Sequence, residues 1–249
     1  MAYRLKLIVA YDGRPFAGFQ SQANGNAVQD HLERAFQEIA RAPVRVHGAG
    51  RTDAGVHAIA QAAHVELVAR TLDARQWVAA LNTHLPATLR VLRCTYVPVT
   101  FHARFSARGK VYRYRIWNDA VLPPLDLGRA WHVPVPLDVD TMRSEAQAFL
   151  GRHNFAAFAA NRGKPVEHAI RTIDGVQLRA SGRSVVLQFS GEGFLYKMVR
   201  LMTGALVRCG HGKSPAGEIV HRLRAPESSS PSARLVAPAE GLYLVRVRY

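Results

Sequence analysis

The chain has 249 residues and a net charge of +15, from 33 basic against 18 acidic side chains. Hydrophobic residues at 48% with charged ones at 20% can bury a sizeable core and exclude intrinsic disorder, and no apolar run approaches the ~20 residues of a membrane span. Two cysteines, Cys94 and Cys209, with no C-x-x-C pair, exclude a disulfide framework and point to a reducing, cytoplasmic setting.

Tyr3 to Tyr11 alternates in polarity and predicts a strand, and the short apolar stretch inside it stops at Asp12, too soon for a secretory core. Asp12-Gly13-Arg14-Pro15 is a turn. A helix is predicted from about Ala27 to Arg41, with Asn26 as its N-cap and Val28, Leu32, Ala35, Phe36 and Ile39 on one apolar stripe. Val44 to His47 predicts a second strand, followed by a glycine-rich segment, and Ala60 to Val68 a third. Asp73 caps a second helix carrying Trp77, Val78, Leu81 and Leu85, ended by Pro86. With a fourth strand over Leu89 to Val99 the order is β-α-β-β-α-β, the split unit of ferredoxin-like domains.

A similar order recurs. Lys110 to Trp117 predicts a strand, and a proline-rich connector leads to a helix opened by Asp138 with Met142, Ala146 and Phe149 on its apolar face. Ile170 to Leu178 and Val185 to Phe189 form a hairpin pair. Phe194 to Val207 is an apolar helix, Pro215 to Leu223 a shorter one, and Leu242 to Val247 a final strand. Pro226 to Pro231 is a loop by composition. The expected fold is α+β, with two ferredoxin-like halves of mostly antiparallel sheet side by side and an active-site cleft between them. The expected domains are 1–104, carrying the glycine-rich loop, and 105–249.

The 28 arginines against five lysines suit a polyanion, because the planar guanidinium binds phosphate bidentately and stacks on bases. Several motifs fail. Gly212-Lys213-Ser214 has Val207 where a P-loop needs glycine. Gly48-Ala49-Gly50 lacks the third glycine of a dinucleotide fold. The P-C-x-x-C of zinc deaminases and the H-E-x-x-H of metalloproteases are missing, so no metal is expected. The paired carboxylates of a glycosidase are also missing.

Gly48 to His57 (Gly-Ala-Gly-Arg-Thr-Asp-Ala-Gly-Val-His) is the segment with chemistry in it. Its small residues let another molecule approach closely, and its one acid, Asp53, stands two residues from Arg51. Asp in a glycine-rich loop is also a common turn-former. A non-catalytic RNA-binding module built from two RRM-like sheets fits the charge too, but gives no reason for this isolated loop.

Gly-Arg-Thr-Asp-Ala-Gly-Val-His at 50–57 resembles the signature of the TruA family of tRNA pseudouridine synthases. The resemblance continues in order through Tyr11-Asp12-Gly13 with Phe16-Ala17-Gly18-Phe19-Gln20, Phe101-His102-Ala103-Arg104-Phe105 with Lys110 to Tyr114, and His153 to Phe158. It ends with Phe194 to Arg200 and Ala237 to Leu244. Asn154 and Ala157 depart from the family's Asp-Phe-Ser-Phe. The resemblance implies isomerisation of uridine to pseudouridine on the 3′ side of the tRNA anticodon stem-loop, positions 38–40, by a homodimer without a cofactor. Asp53 matches the catalytic aspartate, Tyr112 the tyrosine that stacks on uracil and Arg200 the basic residue paired with the aspartate. Arg51 would contact RNA. Taken alone, Tyr112 also reads as a core strand tyrosine, Arg200 as a snorkelling surface arginine and His57 as a structural neighbour of the loop.

Overall fold

The structure, a computed structural model, describes residues 3–23, 25–160, 168–226 and 236–249. It is α+β, with five α-helices among the described residues and mostly antiparallel strand pairing. The chain divides into two compact units, Met1–Arg108 with Tyr243–Tyr249, and Gly109–Leu242. This differs from the expected single boundary at 104/105, because the final strand belongs with the first unit and not the second. That strand, β10 (Leu242–Arg248), pairs in parallel with β3 through Tyr243 and Leu244, opposite His57 and Ala58.

In the first unit β1 (Tyr3–Tyr11) lies between β4 (Leu89–Val97) and β3 (His57–Leu67), antiparallel to both. Its alternating pattern buries Leu5, Leu7, Val9 and Tyr11 on one face, as a half-buried strand requires. Helix α1 (Val28–Ala40) buries Val28, Leu32, Ala35 and Phe36. Its cap is not Asn26. Asp30 reaches back to accept the Ala27 N–H at 2.8 Å, while the Asn26 amide donates to the Pro15 carbonyl. Helix α2 (Ala74–His84) starts as predicted, with Asp73 accepting the N–H groups of Arg75 and Gln76, and Trp77 packs on Phe36 at 5.2 Å.

Two strand predictions move. The second strand, β2, is only His47–Gly48, and Val44 to Val46 are irregular because the Val46 N–H turns to Glu33 Oε1. The third begins at His57 rather than Ala60. Between Val9 and Tyr11 the β1–β3 register slips by one residue, a bulge where the strand meets the glycine-rich loop.

In the second unit β5 (Gly109–Trp117), β9 (Ser184–Gly191), β8 (Ile170–Ser181) and β7 (Gly151–Asn154) pair antiparallel in that order, and β6 (Trp131–His132) lies parallel to β5. Asp138 caps α3 (Val139–Ala146) through the Asp140 and Thr141 N–H groups. Helix α4 (Met198–Gly210) starts four residues later than predicted, because Lys197 takes a left-handed φ of 58°. Helix α5 is Glu218–Arg224. Of the predicted Pro226–Pro231 loop, residues 227–231 lie outside the described residues. Both cysteines are free and buried, and burial pushes the Cys94 thiol up to about 12.

Candidate active site

Asp53 sits in the connection from β2 to β3, in a turn closed by the Val56 N–H donating to the Asp53 carbonyl at 3.1 Å. Gly55 takes φ +81° inside it, a position that favours glycine. Asp53 is half-buried, Thr52 buried and Arg51 exposed.

The loop is held from beneath by the Tyr11–Phe19 segment. Tyr11 Oη lies 2.8 Å from Thr52 Oγ1, both buried, and the Phe19 N–H donates to the Thr52 carbonyl at 3.0 Å. Gly18, at φ +99°, lies so close that a Cβ there would meet the Thr52 carbonyl oxygen at 2.7 Å and the Asp53 carbonyl carbon at 3.3 Å. A Cβ on Gly13 would strike the Val56 carbonyl at 2.2 Å. On the other side the Gln61 amide, fully buried, donates to the Gly50 carbonyl at 2.9 Å, and the Ala49 N–H donates to Ala62. A loop of small residues is thereby fixed at both ends, and the backbone that carries its acid is held in place.

His57 closes the turn without projecting from it. It is 3% exposed, stacks on Tyr243 at 4.6 Å and 16°, and its Nδ1 accepts the Gly13 N–H at 3.1 Å. Asp12 is held below the usual carboxylate range, chiefly by its hydrogen bonds from Arg14.

In the second unit Tyr112 lies on β5 opposite Phe189 and meets Phe194 edge-on at 5.0 Å. It is only 8% exposed. Tyr114, two residues on, is buried, donates to the Pro238 carbonyl at 2.7 Å, and has its phenol pKa raised by burial. Arg200 is the third residue of α4 and half-buried. Its Nε donates to the Ala237 carbonyl at 2.7 Å, and the Ala237 N–H donates back to the Arg200 carbonyl at 3.2 Å. This two-way tie fixes the start of α4 to the segment that begins at Ala237. Asn154 accepts the Ala156 N–H at 3.0 Å, a bond that Asp makes equally well, so this departure leaves the local turn unchanged.

Tyr11, Gly13, Gly18 and Gln61 escape residue-by-residue reading, because they act on the backbone of a distant loop. The signal for them was the glycines, whose tolerance of close approach is legible without the partner.

A match to the family described as tRNA pseudouridine synthase covers residues 7–106 and 146–249. A protein of Akkermansia muciniphila is 46% identical over 99% of this chain and 95% of its own length, one of Methylacidiphilum infernorum 44% over 98% and 94%, and one of Limosilactobacillus fermentum 41% over 99% and 96%. Each is named tRNA pseudouridine synthase A. This chain belongs to the tRNA pseudouridine synthase family. It is therefore an isomerase that acts on tRNA.

Proposed function

We propose that the chain converts uridine to pseudouridine in the tRNA anticodon stem-loop, with Asp53 as its catalytic carboxylate. The observation carrying this is the clamp on the Asp53 loop, where Tyr11, Gly18, Phe19 and Gln61 fix a backbone that ordinary turns leave free. In the reaction the N1–C1′ bond breaks, the uracil turns, C5 bonds to C1′, and the C5 proton is lost while N1 gains one. Atoms and oxidation state balance within the substrate, so the chemistry calls for no cofactor.

The target uridine leaves its stack at a cost of a few kcal/mol, least in a stem-loop. Tyr112 stacks on the uracil, Arg200 supplies positive charge to the carboxylate, and exposed Arg51 holds RNA backbone. The first unit has the chain order of a ferredoxin-like domain, and we read the second as its counterpart. The working form is a cytoplasmic homodimer.

Tritium release from [5-³H]uridine-labelled tRNA tests the assignment. Asp53→Asn abolishes release while tRNA binding stays within about twofold. Wild-type turnover by that variant overturns it, and a chain that binds RNA without releasing label from any tRNA would be a binding module instead.

A further inference from the structure

Phe105 is 76% exposed, whereas the other nine phenylalanines are buried or half-buried. Its backbone is nevertheless firmly held. His102 Nδ1 accepts the N–H groups of Arg104 and Phe105 at 3.1 and 3.3 Å, and the Ser106 N–H and Oγ bond the His102 carbonyl and N–H, each at 2.9 Å. The Ala103 N–H donates to His64 Nδ1 at 3.2 Å, and Tyr249 Oη donates to the Ala103 carbonyl at 2.8 Å. Ala103 is fully buried against Ala49 and Ala62, and Ala49 lies four residues before Asp53.

The ring has a stiff backing as well. The His102 imidazole lies 4.3 Å from it at 33°, His64 meets His102 at 4.6 Å, and His47 stacks on His64 at 4.9 Å and 21°. These imidazoles do not make a metal site, since no cluster of three ligands is formed among the described residues. The Arg104 guanidinium stands 5.6 Å from the Phe105 centroid, and Arg104 and Arg108 are both exposed.

We propose that Phe105, backed by His102, is a stacking platform for an unpaired base of the tRNA substrate. A rigid aromatic ring beside a guanidinium group gives a base a π-face and its phosphate a counter-charge, the usual means of holding unpaired RNA. Because the turn is already ordered, binding does not have to immobilise it. A second copy of this chain is the poorer occupant. A stable interface needs roughly 800 Å² per partner, whereas this is one exposed ring beside an exposed arginine. The proposal rests on tRNA as the substrate and not on the role of Asp53.

The test is fluorescence-anisotropy binding of an unmodified tRNA transcript, and of a fully paired RNA duplex of matching length, to the full chain and its Phe105 variants. Phe105→Ala weakens tRNA binding about 5- to 150-fold, Phe105→Tyr retains it, Phe105→Leu behaves like alanine, and duplex binding is unchanged by all three. The ring is exposed, so the melting temperature stays near wild type and misfolding does not confuse the result. Unchanged tRNA affinity in Phe105→Ala overturns the proposal, as does equal weakening for tRNA and duplex, or a halved solution mass showing that the ring joins two copies. Asp53→Asn in the same assay keeps the two readings apart, because it removes turnover and not binding.

Discussion

The hydroxyls of Tyr11 and Thr52 lie 2.8 Å apart in the interior of the first unit, joining the end of β1 to the residue before Asp53. Burial raises the Tyr11 phenol pKa well above its ordinary value, so the hydroxyl stays protonated and available as a donor throughout the neutral range. The bond therefore acts as a fixed strut under the loop.

Tyr11→Phe removes that strut and leaves the Thr52 hydroxyl without it. A buried hydroxyl deprived of its partner costs about 1–3 kcal/mol, which urea denaturation will show. Catalysis depends more steeply on position, since a shift near 1 Å can lower rate ~100-fold. With Asp53 as the carboxylate, kcat in the tritium assay falls at least tenfold while KM stays within about twofold. A rise in KM with kcat unchanged would place Tyr11 in substrate binding instead.

Gly18 and Gly25 separate backbone conformation from close approach. Both have positive φ, +99° and +63°, but a Cβ at Gly18 meets the Thr52 carbonyl oxygen at 2.7 Å while one at Gly25 meets nothing within 4 Å. Gly25→Ala loses only the left-handed preference, about 1 kcal/mol, and keeps its activity. Gly18→Ala must also push the Asp53 loop aside, so it loses more than about 2 kcal/mol and most of its turnover. Paired denaturation and tritium-release measurements check both outcomes.

Much of this was legible from residue types alone. The alternation of β1, the Asp73 and Asp138 caps and the hairpin of β8 and β9 follow from local periodicity and capping, and the structure has them. Errors fell where one specific hydrogen bond or backbone angle overrode the residue pattern. Glu33 draws the Val46 N–H away from a strand, Asp30 replaces Asn26 at the start of α1, and left-handed Lys197 delays α4. The membership of the last strand follows from its pairing with β3, a contact across most of the chain that periodicity cannot carry. The motif singles out Asp53 as the candidate acid. The glycines signal a close approach, but which backbone Tyr11, Gly18 and Gln61 hold is not legible, because they act through space on a distant loop.

His64 makes stability depend on pH. It is buried, and burial, with help from His102, His47 and Arg4 and against a smaller opposing effect of Glu66, lowers its pKa to about 4. An unfolded histidine titrates near 6.5, so between those values the unfolded chain holds the extra proton. Stability is therefore full above about pH 6.5 and declines as pH falls to about 4, by up to about 3 kcal/mol. His64→Asn keeps an acceptor for the Ala103 N–H and loses the titration. Denaturation midpoints measured from pH 7.5 to 4.5 fall less for this variant than for the wild type, and parallel slopes would exclude His64 as the source.

Arg51 and Arg200 are both cations in the proposed site, but their surroundings give them different tasks. Arg51 is exposed beside the Asp53 loop, whereas Arg200 is half-buried and its Nε is committed to the Ala237 carbonyl. A phosphate contact releases a counterion on binding, so each one adds roughly 0.7–0.9 to the slope of log affinity against log salt. Arg51→Ala therefore lowers that slope by about one unit or slightly less and weakens binding to tRNA and duplex alike. Arg200→Ala loses its tie to Ala237, so with Arg200 in its proposed role it lowers kcat at least tenfold with the salt slope unchanged. Anisotropy titrations from 50 to 300 mM salt, with tritium release on the same samples, distinguish the two. Exchange of these effects between the residues would reverse the assignment, making Arg200 the phosphate contact and Arg51 the partner of the carboxylate.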